Sequence, residues 1–159
     1  MPRVSVIIPC YNVAPWLARC MDSVVAQTLD DIEIICIDDK STDDTLKILR
    51  QYQRQDSRIR VIAHRTNTGV AVARNEGMAH ATGEYIGFID PDDYVDTDFY
   101  EKLYDKAQKT NADIVKAGVI SVNMNNNCIF KDTRTFKHIY EFSCSFWAAI
   151  YKHDFLKKL

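Results

Sequence analysis

A chain of 159 residues, 47% hydrophobic and 26% charged, carries enough apolar surface for one packed core and has the composition of an ordinary soluble domain. Its net charge of -2, with scattered basic residues, offers no footprint for a nucleic-acid backbone, so nucleic-acid binding is excluded from the expected partners. No apolar run reaches the roughly 20 residues a membrane span needs, and Met1-Pro2-Arg3-Val4-Ser5 has no signal-peptide pattern. Cys10, Cys20, Cys36, Cys128 and Cys144 form no CxxC pair and no zinc-spaced cluster. Reduced thiols in a cytoplasmic protein are expected, with peripheral attachment at the inner face of the membrane left open.

Taken in chain order, Val4 to Ile8 is a β-branched run ending at Pro9 and predicts a buried strand. Leu17, Cys20, Met21, Val24 and Val25 recur at helical spacing, with Pro15 suited to the first turn. Ile32 to Ile37 is a second buried strand, closed by Asp38-Asp39. Ser41 followed by Asp44 predicts a capping box for a helix with Leu46, Leu49 and Tyr52 on its apolar stripe. A strand over Ile59 to Ala63 and a small-residue helix over Val70 to Ala81 follow, the latter stopped near Gly83.

The alternation continues with a strand from Glu84 to Asp90, a helix from Asp98 to Lys109 with Phe99, Leu103 and Ala107 inward, and a strand from Asp113 to Ala117. This pitch predicts an α/β fold with a mostly parallel sheet and helices on both faces. Regularity ends after Gly118. Asn123 to Asn127 reads as a loop or hairpin tip, Phe130 to Phe146 has no clean period, and Ala148 to Tyr151 reads as a last strand before a helix at Asp154. The expected division is a core over residues 1–118 and the start of a further, truncated region over 119–159.

Ligands in open parallel sheets bind at the carboxyl ends of the strands, near a switch in strand order. Three such ends here carry polar groups: Tyr11-Asn12, Asp38-Asp39 and Asp90-Pro91-Asp92-Asp93. The carboxylates of Asp90, Asp92 and Asp93 are hard ligands for Mg²⁺ or Mn²⁺, and a divalent ion there would hold a diphosphate and relieve their mutual repulsion. Taken alone, the stretch is equally a turn leading to a helix cap at Thr97-Asp98. A calcium loop is rejected: Tyr94 and Val95 break its pattern, and a strand, not a helix, precedes it. Asp38-Asp39 is either solvated loop charge or a carboxylate reading a base or ribose, and Tyr11 either a stacking surface or edge packing.

Taken together, VSVIIPCYN (Val4 to Asn12), DSVVAQT (Asp22 to Thr28), IDDKSTDDT (Ile37 to Thr45) and NTGVAVARNEGMAHATGEYIGFIDPDD (Asn67 to Asp93) resemble family 2 glycosyltransferases over about residues 3 to 118. The resemblance implies a Rossmann-like GT-A fold, a nucleotide-diphospho-sugar donor with a UDP-sugar favoured, and a saccharide or lipid-linked acceptor. It also implies inverting, metal-dependent transfer of the kind used in polysaccharide assembly. Carried over, Pro9, Tyr11 and Asp39 form the base and ribose pocket with Asn12 nearby. Asp90 opens the DxD-type motif, Asp92 contacts ribose or metal, and Asp93 is the principal metal ligand. Gly69, Arg74 and Asn75 match the segment behind the donor, where Arg74 either orients the acidic loop or makes a structural salt bridge.

Two positions depart from the family pattern. Lys40 stands where a glycine is usual, which is costly if the turn needs positive φ, and Ala14 replaces an acidic residue. No catalytic base is found after Gly118, since Asp132, Glu141 and Asp154 lack the family context; the base is expected beyond Leu159. The competing readings are a phosphoacceptor signalling domain built on Asp38-Asp39, Asp90 and Lys116, and a donor-binding module without turnover. A dehydrogenase is excluded, because Pro9-Cys10-Tyr11-Asn12 replaces the glycine-rich turn such an enzyme requires.

Overall fold

The computed structural model describes residues 1–122, 128–132 and 148–158. Its main sheet has six strands in the order β3-β2-β1-β4-β8-β5. These are β1 (Val4–Cys10), β2 (Ile32–Asp38), β3 (Ile59–Ala63), β4 (Tyr85–Phe88), β5 (Ile114–Lys116) and β8 (Ala149–Lys152). The first four pair in parallel, with Ile7 beside Ile35 on one side and Phe88 on the other. A hairpin of β6 (Val119–Val122) and β7 (Cys128–Asp132) forms a separate two-stranded sheet. Asn123 to Asn127, most of Phe130 to Phe146, Glu141 and Cys144 lie outside the described residues.

Every residue of β1 is buried, as a strand covered on both faces must be. Val4, Val6, Ile8 and Cys10 pack beneath α1 (Ala14–Val25), α2 (Thr45–Gln55) and α4 (Phe99–Thr110), together with Leu17, Met21, Leu49, Tyr100 and Leu103. Ile7, Ile35, Ile37 and Phe88 face the other way, against Ala73 of α3 (Val70–His80) and, at the rim, Leu156 of the short α5 (His153–Leu156). Alternation along β1 thus divides the core into two layers, and the expected helices on both faces are present. The small-residue face of α3 lets it sit close: a Cβ on Gly77 would collide with the Ile7 side chain.

The α/β expectation holds, with differences in detail. Helix α1 carries its proline in the first turn, as expected. Strand β4 ends at Phe88, so Asp90 lies in the loop beyond it. The capping box does not form: neither Ser41 nor Asp44 caps α2, and the Asp43 carboxylate accepts from the Thr45 N–H at 2.9 Å instead. Spacing alone does not separate adjacent acceptors in a run of four polar residues. Tyr100, absent from the expected core, is fully buried where Gly87 leaves room for its ring.

Strand β8 runs antiparallel to both neighbours and lies between β4 and β5. It comes from the 119–159 stretch, yet it is hydrogen-bonded into the sheet built by the preceding residues. Cys10, Cys20 and Cys36 are buried and make no disulfide. Among the described residues, no helix is long and apolar enough to cross a membrane.

Candidate functional site

The strand order reverses at β1: the chain builds β2 and β3 to one side and then places β4 on the other. The loops leaving β1, β2 and β4 therefore gather at one edge, the position where open α/β sheets hold ligands. The Asp39 N–H donates to the Cys10 carbonyl at 2.8 Å, and the Ile89 N–H donates to the Ile7 carbonyl at 3.2 Å, so the pairing carries past the strand ends.

The first two loops are tied together by side chains. Asn12 has φ of +51°, a left-handed conformation that asparagine tolerates, and its Oδ1 accepts from the Thr42 N–H at 2.8 Å. Its own N–H donates to the Ser41 hydroxyl at 3.1 Å. Asp43 accepts from the N–H of Ala14, at the start of α1, while it holds Thr45 at the start of α2. One carboxylate thus caps two helix N-termini, where negative charge is favoured. Burial would raise the Asp43 carboxyl, but these bonds outweigh it and hold it below the usual carboxylate range. Pro9 is buried in β1, whereas Tyr11 is 49% exposed and leaves a ring face open to a ligand.

Asp39 is 3% exposed and serves as a hub. Its Oδ1 accepts from the Thr68 N–H at 2.8 Å and the Thr68 hydroxyl at 3.0 Å, and lies 2.6 Å from His64 Nδ1. Its Oδ2 accepts from the Gly69 N–H at 2.7 Å. Burial alone would raise this carboxyl; the bonds from Thr68, His64 and Gly69 win and hold it at about 2. Gly69 has φ of +89° with nothing near its missing Cβ, so backbone conformation and not crowding calls for glycine there. Lys40 has φ of +64°, which confirms that the turn after Asp39 needs the conformation a glycine would supply.

The acidic loop after β4 is both a turn and a candidate site. The Asp93 N–H donates to the Asp90 carbonyl at 2.9 Å, closing the turn around buried Pro91. Asp92 and Asp93 are exposed at its tip. Partial loss of solvent, then the charges of Asp92 and Asp90, push the Asp93 carboxyl up to about 6 against the opposing pull of Arg19. Asp90 is turned aside: its Oδ1 accepts from Arg74 Nη2 at 2.7 Å. Arg74 thus makes an ion pair with the loop after β4, the contact that both readings of this residue require. Asn75, next on α3, is exposed.

Among the described residues no three His, Cys, Asp or Glu side chains converge into a preassembled cation site. Of Asp90, Asp92 and Asp93, the last two are exposed, while Asp90 is partly buried and its Oδ1 is taken by Arg74.

Sequence reading missed the groups that hold this loop from behind. Gln27 at the end of α1 donates from Nε2 to the Asp96 carbonyl at 2.7 Å and accepts the Tyr100 N–H at 3.0 Å. The Ser23 hydroxyl accepts the Val95 N–H at 3.3 Å, and the Thr28 N–H donates to the Thr97 carbonyl at 2.8 Å. Arg19 stacks on Tyr94 with its guanidinium carbon 3.6 Å from the ring centroid. Nothing local in DSVVAQT marks Ser23 or Gln27 as anchors: Gln27 lies beyond the end of α1, and their partners are 69 to 73 residues away in sequence. His64, which joins Asp39 to Glu76, gave no local signal at all.

Residues 5–157 match the sequence profile described as Glycosyl transferase family 2. The chain belongs to that family. It is 46% identical over 118 residues to the uncharacterized glycosyltransferase EpsJ of Bacillus subtilis, covering 74% of this chain and 34% of EpsJ. The chain thus spans about a third of that relative's length. Among solved structures, S. aureus TarS 1-349 in complex with UDP-GlcNAc superposes with a TM-score of 0.83 at 24% identity, over 99% of this chain and 47% of TarS. The mannosyltransferase PcManGT of Pyrobaculum calidifontis, in complex with GDP-Man and Mn²⁺, gives a TM-score of 0.67 at 27% identity over 73% of this chain and 35% of its own.

The expected GT-A fold is therefore met, with family 2 membership accounting for the four sequence motifs. The phosphoacceptor reading fails within this family, and also on geometry. Strand β8 stands between β4 and β5, which sets Lys116 two strands away from the end of β4.

Proposed function

We propose that this chain is the donor-binding part of an inverting, metal-dependent glycosyltransferase, and that the acidic loop of Asp92 and Asp93 receives the diphosphate of a nucleotide-diphospho-sugar. One observation carries the reading: at the switch point, the loop after β4 carries two exposed carboxylates, with Arg74 paired to Asp90 in the same loop, and the loop after neighbouring β1 carries an exposed Tyr11 ring. The family and the GDP-Man and Mn²⁺ bound to PcManGT support it.

The residues fit a divalent cation by the chemistry of their donors. Asp92 and Asp93 offer hard oxygens; partial burial first, and then the charges of Asp92 and Asp90, raise the Asp93 carboxyl, and a cation would relieve the second of these. Mg²⁺ or Mn²⁺ bound there would supply charge neutralisation to the leaving diphosphate. Tyr11 would pack against the base, and Pro9, Asn12, Asp39 and Gly69 would shape the wall around the base and ribose. Arg74 would keep Asp90 from joining the carboxylate cluster. Acceptor binding, of a saccharide or lipid-linked sugar at the membrane face, and the general base are assigned to other parts of the full protein.

Calorimetry with UDP, GDP and dTDP, each with and without Mn²⁺, tests this. UDP binding that needs Mn²⁺ and is lost in Asp93→Ala is expected. A folded sample that binds none of the three under either condition would overturn the reading.

A further inference from the structure

We propose that Arg19 is a specificity-determining residue of the donor site: stacked on the Tyr94 ring, its guanidinium stands off the neighbouring carboxylates and receives the diphosphate of the nucleotide. This rests on the donor-binding reading above and adds a positively charged half to it.

Arg19 is an exposed residue of α1, and one turn of that helix touches the acidic loop on both sides of its tip. The Cys20 thiol donates to the Asp90 carbonyl at 3.8 Å, and the Ser23 hydroxyl accepts the Val95 N–H at 3.3 Å. Asp92 and Asp93 are thus bracketed by contacts to α1. Beside these contacts Arg19 reaches Tyr94, the residue after Asp93, with its guanidinium carbon 3.6 Å from the ring centroid. Tyr94 is 43% exposed, so its ring is a surface platform and not part of the core. The charge of Arg19 also reaches Asp93, pulling that carboxyl down against burial and the charges of Asp92 and Asp90.

The two arginines beside this loop are committed differently. Arg74 gives a hydrogen bond of 2.7 Å to Asp90 and forms an ion pair with it. Among the described residues, no carboxylate and no other acceptor takes the N–H groups of Arg19. A long, flexible arginine beside three aspartates would ordinarily pair with one of them. Here the flat guanidinium lies on a flat ring instead, an arrangement that suits arginine and not lysine. Its positive charge and its N–H donors remain for an anion. The planar fork matches phosphate oxygens, and such charge-assisted bonds are about twice as strong as neutral ones. Carboxylates for a cation and a guanidinium for phosphate then stand side by side. A diphosphate carrying a divalent ion uses both, whereas the bare ion meets attraction from one and repulsion from the other.

The test compares two ligands, UDP in excess Mn²⁺ and Mn²⁺ alone, on the 159-residue chain. Calorimetry should show UDP bound about tenfold more weakly by Arg19→Gln, the size of one lost charge-assisted bond, and the gap to the parent should narrow as salt rises. Mn²⁺ alone, followed by paramagnetic broadening of the Asp92 and Asp93 amides in NMR spectra, should bind Arg19→Gln at least as well as the parent, because a positive charge has been removed from beside the carboxylates. A residue that merely braced the loop would weaken both ligands when lost. Tyr94→Leu lets Arg19 pair with a carboxylate and should weaken both, whereas Tyr94→Phe keeps the ring and should match the parent. Unchanged UDP affinity in Arg19→Gln, or joint loss of UDP and Mn²⁺ binding in that variant, would overturn the proposal. A folded parent that binds no UDP would instead refute the donor reading, and the role of Arg19 with it.

Discussion

Arg74 Nη2 donates to Asp90 Oδ1 at 2.7 Å, joining the first half of α3 to the loop after β4. The two side chains are 25% and 29% exposed, so solvent weakens the pair, and its worth to global stability is about 1 kcal/mol or less. On the proposed donor-binding reading its worth to the site is larger, because it would set which carboxylates of the acidic loop face the diphosphate.

Arg74→Ala should accordingly leave the unfolding midpoint almost unchanged while weakening Mn²⁺-dependent UDP binding by about tenfold. Paired urea melts and calorimetry check this. A large loss of stability with intact binding would show that the pair is structural only.

Gln27 is 4% exposed and satisfies three backbone groups: the carbonyls of Ser23 and Asp96 and the N–H of Tyr100. Gln27→Ala strands the last of these under a packed helix, where an unsatisfied donor costs about 1–3 kcal/mol. Urea denaturation should show a loss of roughly that size or more, and hydrogen exchange should show faster opening between residues 93 and 100. Unchanged exchange there would remove Gln27 as the anchor of the acidic loop.

Lys40 occupies a left-handed backbone conformation at φ of +64° without the benefit of being glycine. Lys40→Gly relieves that strain and returns some unfolded-chain entropy, for a net gain of about 0.5–1 kcal/mol. Thermal unfolding checks the sign. A loss of stability would mean that the lysine side chain contributes more than its backbone costs.

Acid stability should depend on the loop carboxylates. Asp39 is held at about 2, and Asp43 is also held low. A depressed folded pKa stabilises above the unfolded value near 3.8, and that stabilisation disappears as pH falls through the folded value. Unfolding free energy should therefore decline between about pH 4 and pH 2. Asp39→Asn should flatten that slope; an unaltered slope in urea melts across this window would show that Asp39 carries none of it.

Much of this protein is legible from local pattern. The β-branched runs ending at Pro9 and Asp38, and the helical stripe of Leu17, Cys20, Met21 and Val24, announce the alternating strands and helices because each pattern is satisfied within a few residues. The polar strand ends at Tyr11, Asp39 and Asp90 stand out for the same reason: they interrupt apolar runs. Other features arise only when the chain closes. Asp43 caps two helices, Gln27 grips a loop about 70 residues away, His64 bridges β2 to α3, and β8 enters the sheet between β4 and β5. None has a period or spacing to read, because each depends on hydrogen-bond partners that are distant in sequence and adjacent only in the fold. Sequence alone determined which acidic groups lie at the strand ends. Tertiary structure decided which are accessible, since Arg74 takes Asp90 and the Thr68–Gly69 turn encloses Asp39, leaving Asp92 and Asp93 facing outward.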